Sequence, residues 1–214
     1  MPRSRPGNVS RDSDRGTVLT LNDELLTQLG DSGVDQIAGM LGTDPATARK
    51  VVEAVAGTVL GGMARNAEHP DGAEALRAAL DVHVDTDPFN GDVASLTRDG
   101  HSILGHVLGG QGTERAAAGL SQLACVSPGT IMKLLPLIAP MVMSLLANRV
   151  TKAHMDASAL AVHLRREHDA LPGALGGLLD GLLGGIFGGA VPPQGGPYDP
   201  ADRQPARGAP NHDW

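Results

Sequence analysis

The chain has 214 residues, which is enough for one domain with a sizeable core or for two small ones. Its formal net charge of −7 argues against a basic field that would attract nucleic acid or anionic membranes. Only 2% of residues are aromatic. The core must therefore consist of Leu, Val, Ile, Ala and Met, a composition that favours packed helices over a β-sandwich.

The first 19 residues form a polar head that is predicted to be disordered. The head carries charges but lacks the apolar stretch of a secretory signal. Cys125 is the single cysteine, so no internal disulfide can form. We therefore expect a cytoplasmic protein.

Residues 20–170 contain an internal repeat of two units, residues 22–84 and residues 99–168. When Pro45 is aligned with Pro128, the same spacing pairs Asp44 with Ser127, Thr47 with Thr130, Lys50 with Lys133, Val55 with Ile138 and Val59 with Val142. Each unit is predicted to hold a short helix, a second helix, a long helix and a trailing helix, with no alternating strand pattern. Two such units would bury each other's apolar faces, which predicts one pseudo-symmetric all-α domain.

The starts of several helices are marked by local signals. Asp44-Pro45 and Ser127-Pro128 each place a capping residue before a proline at the first helical position. Ser32 with Asp35 resembles a capping box, and Thr113 and Asp156 are further predicted starts. The segment 83–100, between the units, is polar and rich in turn residues.

The long helix of the second unit contains an apolar run from Leu134 to Ala147. A membrane span needs about 20 apolar residues, and a shorter run is typical of a buried core helix. Pro136 and Pro140 each remove a helical hydrogen bond, at about 3 kcal/mol or more. Burial can offset this cost if the large apolar residues face a core, namely Leu134, Leu135, Ile138, Val142, Leu145 and Leu146. We predict a core helix and no transmembrane span.

Both units contain a helix-turn-helix pattern, at residues 37–52 and residues 120–135. In a DNA-binding interpretation, Thr47, Arg49 and Lys50 of the first unit would face bases. The alternative is a capped turn between packed helices. The sequence favours this alternative, because neither pattern has the Arg/Lys cluster that phosphate neutralisation needs.

Three segments resemble a known family: RDGHSILGHVLGG at 98–110, VSPGTIMKLLPLIAPMVMSLLANR at 126–149 and GTVLGGMARNAEHPDGAEAL at 57–76. The family is the bacterial YidB-like family, domain of unknown function 937, and the resemblance covers roughly residues 22–190. It implies an all-helical fold with homeodomain-like helical turns. It implies no activity, because the family has none assigned.

Residues 171–190 form an amphipathic tail of Gly and Leu. Its large residues share one helical stripe: Leu175, Leu178, Leu179, Leu182, Leu183, Ile186 and Phe187. Glycines recur every four residues on another face, a pattern that lets helices approach closely. We predict that the stripe docks on a second protomer or lies flat on a lipid surface; the open alternative is loose packing on the body. Asp180 at the centre disfavours a membrane span by about 2.5–3.5 kcal/mol.

The last segment, residues 191–214, is rich in Pro and Gly and is predicted to be disordered. No catalytic motif is present. The pairs His101/His106 and His163/His168 are each five residues apart, which does not match the four-residue spacing of a zinc helix. We therefore predict no metal and no cofactor.

The sequence favours a non-enzymatic helical interaction protein that binds itself or another protein. The first alternative is a DNA-binding regulator that uses the helix-turn-helix of the first unit. A third hypothesis is an enzyme or metal protein that uses His101, His106 or Asp92. Peripheral membrane contact through residues 171–190 stays open as a further mode of binding.

Overall fold

A computed structural model describes residues 19–84, 88–89 and 92–188, and over these ranges the chain forms eight α-helices and no strands. The helices are α1 (Leu21–Leu41), α2 (Pro45–Asn66), α3 (Pro70–His83), α4 (Val93–Val107), α5 (Gly110–Ala124), α6 (Pro128–Lys152), α7 (Ala157–Asp169) and α8 (Gly173–Phe187). The all-α prediction is confirmed. The head, apart from Leu19, and the segment 191–214 lie outside the described residues.

The centre of the molecule is formed by α2 and α6, and nearly every residue of α2 between Val51 and Met63 is buried. In α6 the predicted core residues are all buried: Leu134, Leu135, Ile138, Val142, Leu145 and Leu146. By length and composition α6 could cross a membrane, but 72% of its apolar window is covered by the rest of the fold. This burial is what a core helix requires.

A glycine on α4 packs against the proline segment inside α6. Pro140 has no backbone N–H, so the Pro136 carbonyl cannot receive its usual helical hydrogen bond. Gly100 lies against this carbonyl, and a Cβ at Gly100 would overlap it. The missing side chain therefore lets α4 pack directly on the proline segment of α6.

The helix starts at Asp44 and Ser127 are confirmed. The Asp44 carboxylate accepts the backbone N–H of Thr47 at 3.0 Å, and the Ser127 hydroxyl accepts that of Thr130 at 3.2 Å. Asp156 caps α7 in the same way, by accepting the N–H of Ala159. These are local signals, and the structure follows them.

The first two predicted helices of unit one both form and meet end to end within α1. The first begins with a capping box between Thr20 and Asp23, and the backbone at Gly30 is non-helical, with φ 60° and ψ −177°. The second segment follows directly after this kink, within two residues of the predicted start at Ser32. The predicted start at Thr113 is displaced: α5 begins at Gly110, and the Thr113 hydroxyl donates to the Gly109 carbonyl inside the first turn.

The same backbone conformations recur in both halves of the chain. Gly30 and Gly109 both have positive φ, 60° and 75°, with extended ψ before a helix. Gly42 and Cys125 both end a helix in the left-handed region, at φ 68° and 53°. Between the halves, α3 packs on α6 and α7 packs on α2, so each trailing helix contacts the long helix of the other half.

Candidate functional site

A partly buried ion cluster joins α1, α6 and α7. Arg149 donates to Glu167 at 2.8 Å and to Glu24 at 2.6 Å. Glu167, only 8% exposed, also accepts the backbone N–H of Leu21 at 2.7 Å. Every member has a partner within the chain, as buried charges require. The cluster therefore fixes the start of α1 and leaves no free charge for a ligand.

His163 borders this cluster, with its Nε2 3.6 Å from a Glu167 carboxylate oxygen. Burial lowers the pKa of His163 below the usual 6.5, and this effect outweighs the attraction of Glu167. Arg149 and Arg166 lower the pKa further. The imidazole is therefore neutral at pH 7 and acts as a packing group beside the cluster.

α8 is docked on the body through glycines of α2 and α5. Leu179 and Leu183 lie over Gly57 and Gly61 of α2, and a Cβ at Gly57 would lie 2.7 Å from a Leu179 methyl carbon. On α5, Leu182 covers Gly119 and Ile186 covers Gly112. We call these four glycines, Gly57, Gly61, Gly112 and Gly119, the α8 seat. Sequence reasoning missed the seat, although the four-residue spacing of Gly57 and Gly61 on a buried helix was a signal for it.

The leucine stripe predicted to self-associate faces this seat. Leu179 and Leu183 are buried, whereas Leu175, Leu182 and Ile186 are half-buried. Only Leu178, 54% exposed, and Phe187, 36% exposed, reach solvent to a large extent. A flat contact of the whole stripe with lipid or a second protomer would require α8 to leave its seat.

The opposite face of α8 is formed by small residues. Gly173, Gly177, Gly181, Gly184 and Gly185 are exposed, and a Cβ at any of them would meet no atom within 4 Å. Asp180, the one charged residue of α8, lies toward α7, where a carboxylate oxygen is 3.5 Å from Nε2 of His168. The outer face, which we call the glycine ridge, therefore exposes backbone next to Leu178.

A groove of about 940 Å³ runs between α3 and α4 and ends at the C-terminus of α8. Its walls and floor are mostly apolar and include Leu76, Val82, Ile103, Val107, Met143 and Phe187. His69, His83 and His106 also line it, as does the last described residue, Gly188. Its size is in the range of sites that hold small molecules or short peptide segments. Sequence reasoning missed the groove, because helices that are far apart in the chain build it.

The predicted DNA-contacting residues do not present a joint basic surface. Arg49 forms an ion pair with Asp31 at 2.6 Å, and the Thr47 hydroxyl donates to Asp44 at 2.6 Å. This hydrogen bond from the hydroxyl, together with the one from the backbone N–H of Thr47, lowers the pKa of Asp44. Lys50 is exposed. The predicted contact therefore has two neighbouring cations, of which Arg49 is already paired with a carboxylate.

The other candidate residues are dispersed. His101 and His106 are both exposed, and Nδ1 of His106 donates to the Ser102 carbonyl at 2.8 Å. Asp92 caps α4 through the N–H of Ser95. Cys125 is exposed at the end of α5. Among the described residues, no group of three His, Cys, Asp or Glu side chains could hold a metal ion.

Comparison with known proteins places the chain in a family. The model of a family of bacterial proteins of unknown function, domain of unknown function 937 (DUF937), matches residues 23–149. The chain belongs to the DUF937 family. This confirms the resemblance seen in the sequence over residues 23–149, and the YidB-like description is consistent with it.

The DUF937 match ends within α6, so α7 and α8 lie outside the matched range. The glycine ridge is therefore outside the part that the family model describes. No curated protein and no solved structure matches the chain.

Proposed function

We propose that this DUF937 protein is a non-enzymatic interaction protein that self-associates through the glycine ridge of α8. The observation that carries the proposal is the orientation of α8. Its large side chains fill the α8 seat, and its outer face presents glycines to solvent beside the exposed Leu178. The surface that we assign to the contact is thus the reverse of the leucine stripe.

The composition of the ridge supports a close helix–helix contact. A glycine in a helix interior is about 1 kcal/mol less favourable than alanine, and an exposed helix face normally carries long polar side chains. Glycines at Gly177 and Gly181 leave room for a second helix to approach the backbone closely. Packing of a second α8 against the ridge would cover Leu178 and offset the low helix propensity.

We also propose that the body arose by duplication of one helical unit and contains homeodomain-like turns. The matching left-handed residues Gly42 and Cys125, and the matching caps at Asp44 and Ser127, support this relation. The reciprocal packing of α3 on α6 and of α7 on α2 supports a pseudo-twofold arrangement. A duplicated scaffold of this kind would leave α8 as an added element with a role of its own.

The ridge can be tested in the full chain by replacing Gly177 and Gly181 together with glutamate. Both positions have open space and glutamate favours helices, so the monomer should stay folded. We expect the double variant to have a lower mass by light scattering than the parent chain.

The matched control carries Gly39→Glu and Gly105→Glu, which add the same charge at exposed helical glycines of α1 and α4. We expect this control to keep the parent mass. Equal masses for the ridge variant and the control would overturn the proposal that the ridge forms the contact.

The second candidate function is DNA binding through the turn before α2, and the exposure of Lys50 next to the Asp44 cap favours it. It predicts binding that weakens with salt and on Lys50→Ala. Because Arg49 is paired with Asp31, Arg49→Ala should have a smaller effect. If the protein does not change the electrophoretic mobility of mixed-sequence DNA at low salt, this candidate function is excluded.

A further inference from the structure

The groove between α3 and α4 lies next to the segment that follows α8 in the sequence. Gly188 lines the groove, so the chain that follows starts at the groove itself. Beyond Asp180 the next charged residue is Asp199, and residues 181–198 are therefore uncharged. We propose that residues 189–198, GAVPPQGGPY, dock in this groove of their own chain.

The apolar character of the segment matches the groove. The segment carries Ala190, Val191, Tyr198 and three prolines, whereas the groove is lined by apolar residues such as Leu76, Ile103 and Met143. Covering these groups removes apolar surface from water on both sides, which favours docking. Prolines lose little conformational freedom on docking, because φ is already fixed.

The length of the segment also fits. α3, which forms one wall, has 14 residues and so is about 21 Å long. The ten residues 189–198 can extend to about 33 Å, which is enough to pass along the whole wall. Because the segment is joined to the groove at Gly188, its effective concentration is high, and weak apolar contacts suffice to hold it.

This proposal is independent of self-association through the glycine ridge. It assigns the groove to an internal ligand that any external apolar partner would have to displace. Val82 is the key residue for the test, because it lines the groove and is 78% exposed. A charge at this position should therefore disfavour docking without disturbing the core.

The experiment uses the full chain with Trp214→Phe. The chain has one Tyr and one Trp, so Tyr198 becomes the single strongly fluorescent residue. Acrylamide quenching of Tyr198 is compared with that of the free peptide 189–214 carrying the same change. We expect quenching to be weaker in the full chain than in the peptide. Val82→Glu should remove this protection, whereas Val93→Glu, at a 64% exposed position of α4 outside the groove, should keep it.

Dilution distinguishes the chain's own segment from that of a second copy. Docking within one chain predicts protection that does not change on dilution, and protection that also persists in the Gly177→Glu/Gly181→Glu variant. Three results would overturn the proposal. These are quenching equal to that of the free peptide, protection retained in Val82→Glu, and protection that is lost on dilution.

Discussion

The glycine at position 100 lets α4 pack closely on α6 at Pro136. The Pro136 carbonyl lacks its helical donor because residue 140 is also a proline. Gly100 has only a hydrogen where a Cβ would overlap this carbonyl, and Cα–H···O contacts between helices contribute about 0.5–1 kcal/mol each. The sequence predicted that burial must offset the prolines, but it did not identify Gly100, which is 36 positions away in the chain.

We therefore expect Gly100→Ala to lower the free energy of unfolding by about 1–3 kcal/mol, the usual cost of overpacking. Gly105→Ala is the matched control, because Gly105 lies on the same helix with open space around it. It should be neutral or stabilising by up to about 1 kcal/mol. Urea denaturation of both variants measures the difference. Equal stability of the two variants would contradict the close contact of α4 with α6.

His163 predicts a dependence of stability on pH. Its pKa is lowered in the folded chain by burial, so between that value and 6.5 the unfolded chain binds more protons than the folded chain. The neutral, buried His163 contributes fully to the free energy of unfolding above pH 6.5. This contribution is lost as pH falls toward the lowered pKa. Glu167, Arg149 and Arg166 are the charged groups that shift this residue.

His163→Gln should therefore make the free energy of unfolding fall less steeply below pH 6.5. The parent chain provides the comparison over the same pH range. Chemical denaturation at a series of pH values measures both slopes. An unchanged slope in His163→Gln would show that burial does not govern this histidine.

At the scale of elements, α8 shows what local sequence can and cannot predict. Its apolar period predicted a helix with one apolar stripe, and the caps at Asp44, Ser127 and Asp156 were predicted because capping depends on neighbours within a few residues. The surface that receives the stripe was not predictable in this way. It is built from glycines of α2 and α5, which contribute no side chain and give no hydrophobic signal.

The docking of α8 predicts different effects for two leucines of the same helix. Leu183→Ala removes a buried side chain and should lower the stability of α8 against local unfolding by about 2–5 kcal/mol. Leu178→Ala, at an exposed position, should change it by less than about 0.5 kcal/mol. Hydrogen exchange of the α8 amides measures both effects, under conditions in which the two variants have the same oligomeric mass. Equal exchange in the two variants would show that α8 is not held by its seat.

At the scale of the whole molecule, the all-α class and the core position of α6 followed from composition and from the length of its apolar run. The groove did not follow, because α3, α4 and the end of α8 meet only after the long helices have packed. Because the leucine stripe of α8 faces the α8 seat, we propose the glycine ridge, and not the stripe, as the contact surface. Removing residues 171–214 would uncover the α8 seat, so a truncation would confuse loss of the ridge with exposure of core.

The role that we propose for α8 requires the intact chain to associate with itself. The most direct test is the mass of the full, unmodified chain by light scattering over a wide range of concentrations. A chain mass of 21.9 kDa is expected for the monomer. We predict a defined multiple of this mass that falls toward the monomer on dilution. A mass of one chain at every concentration would contradict self-association.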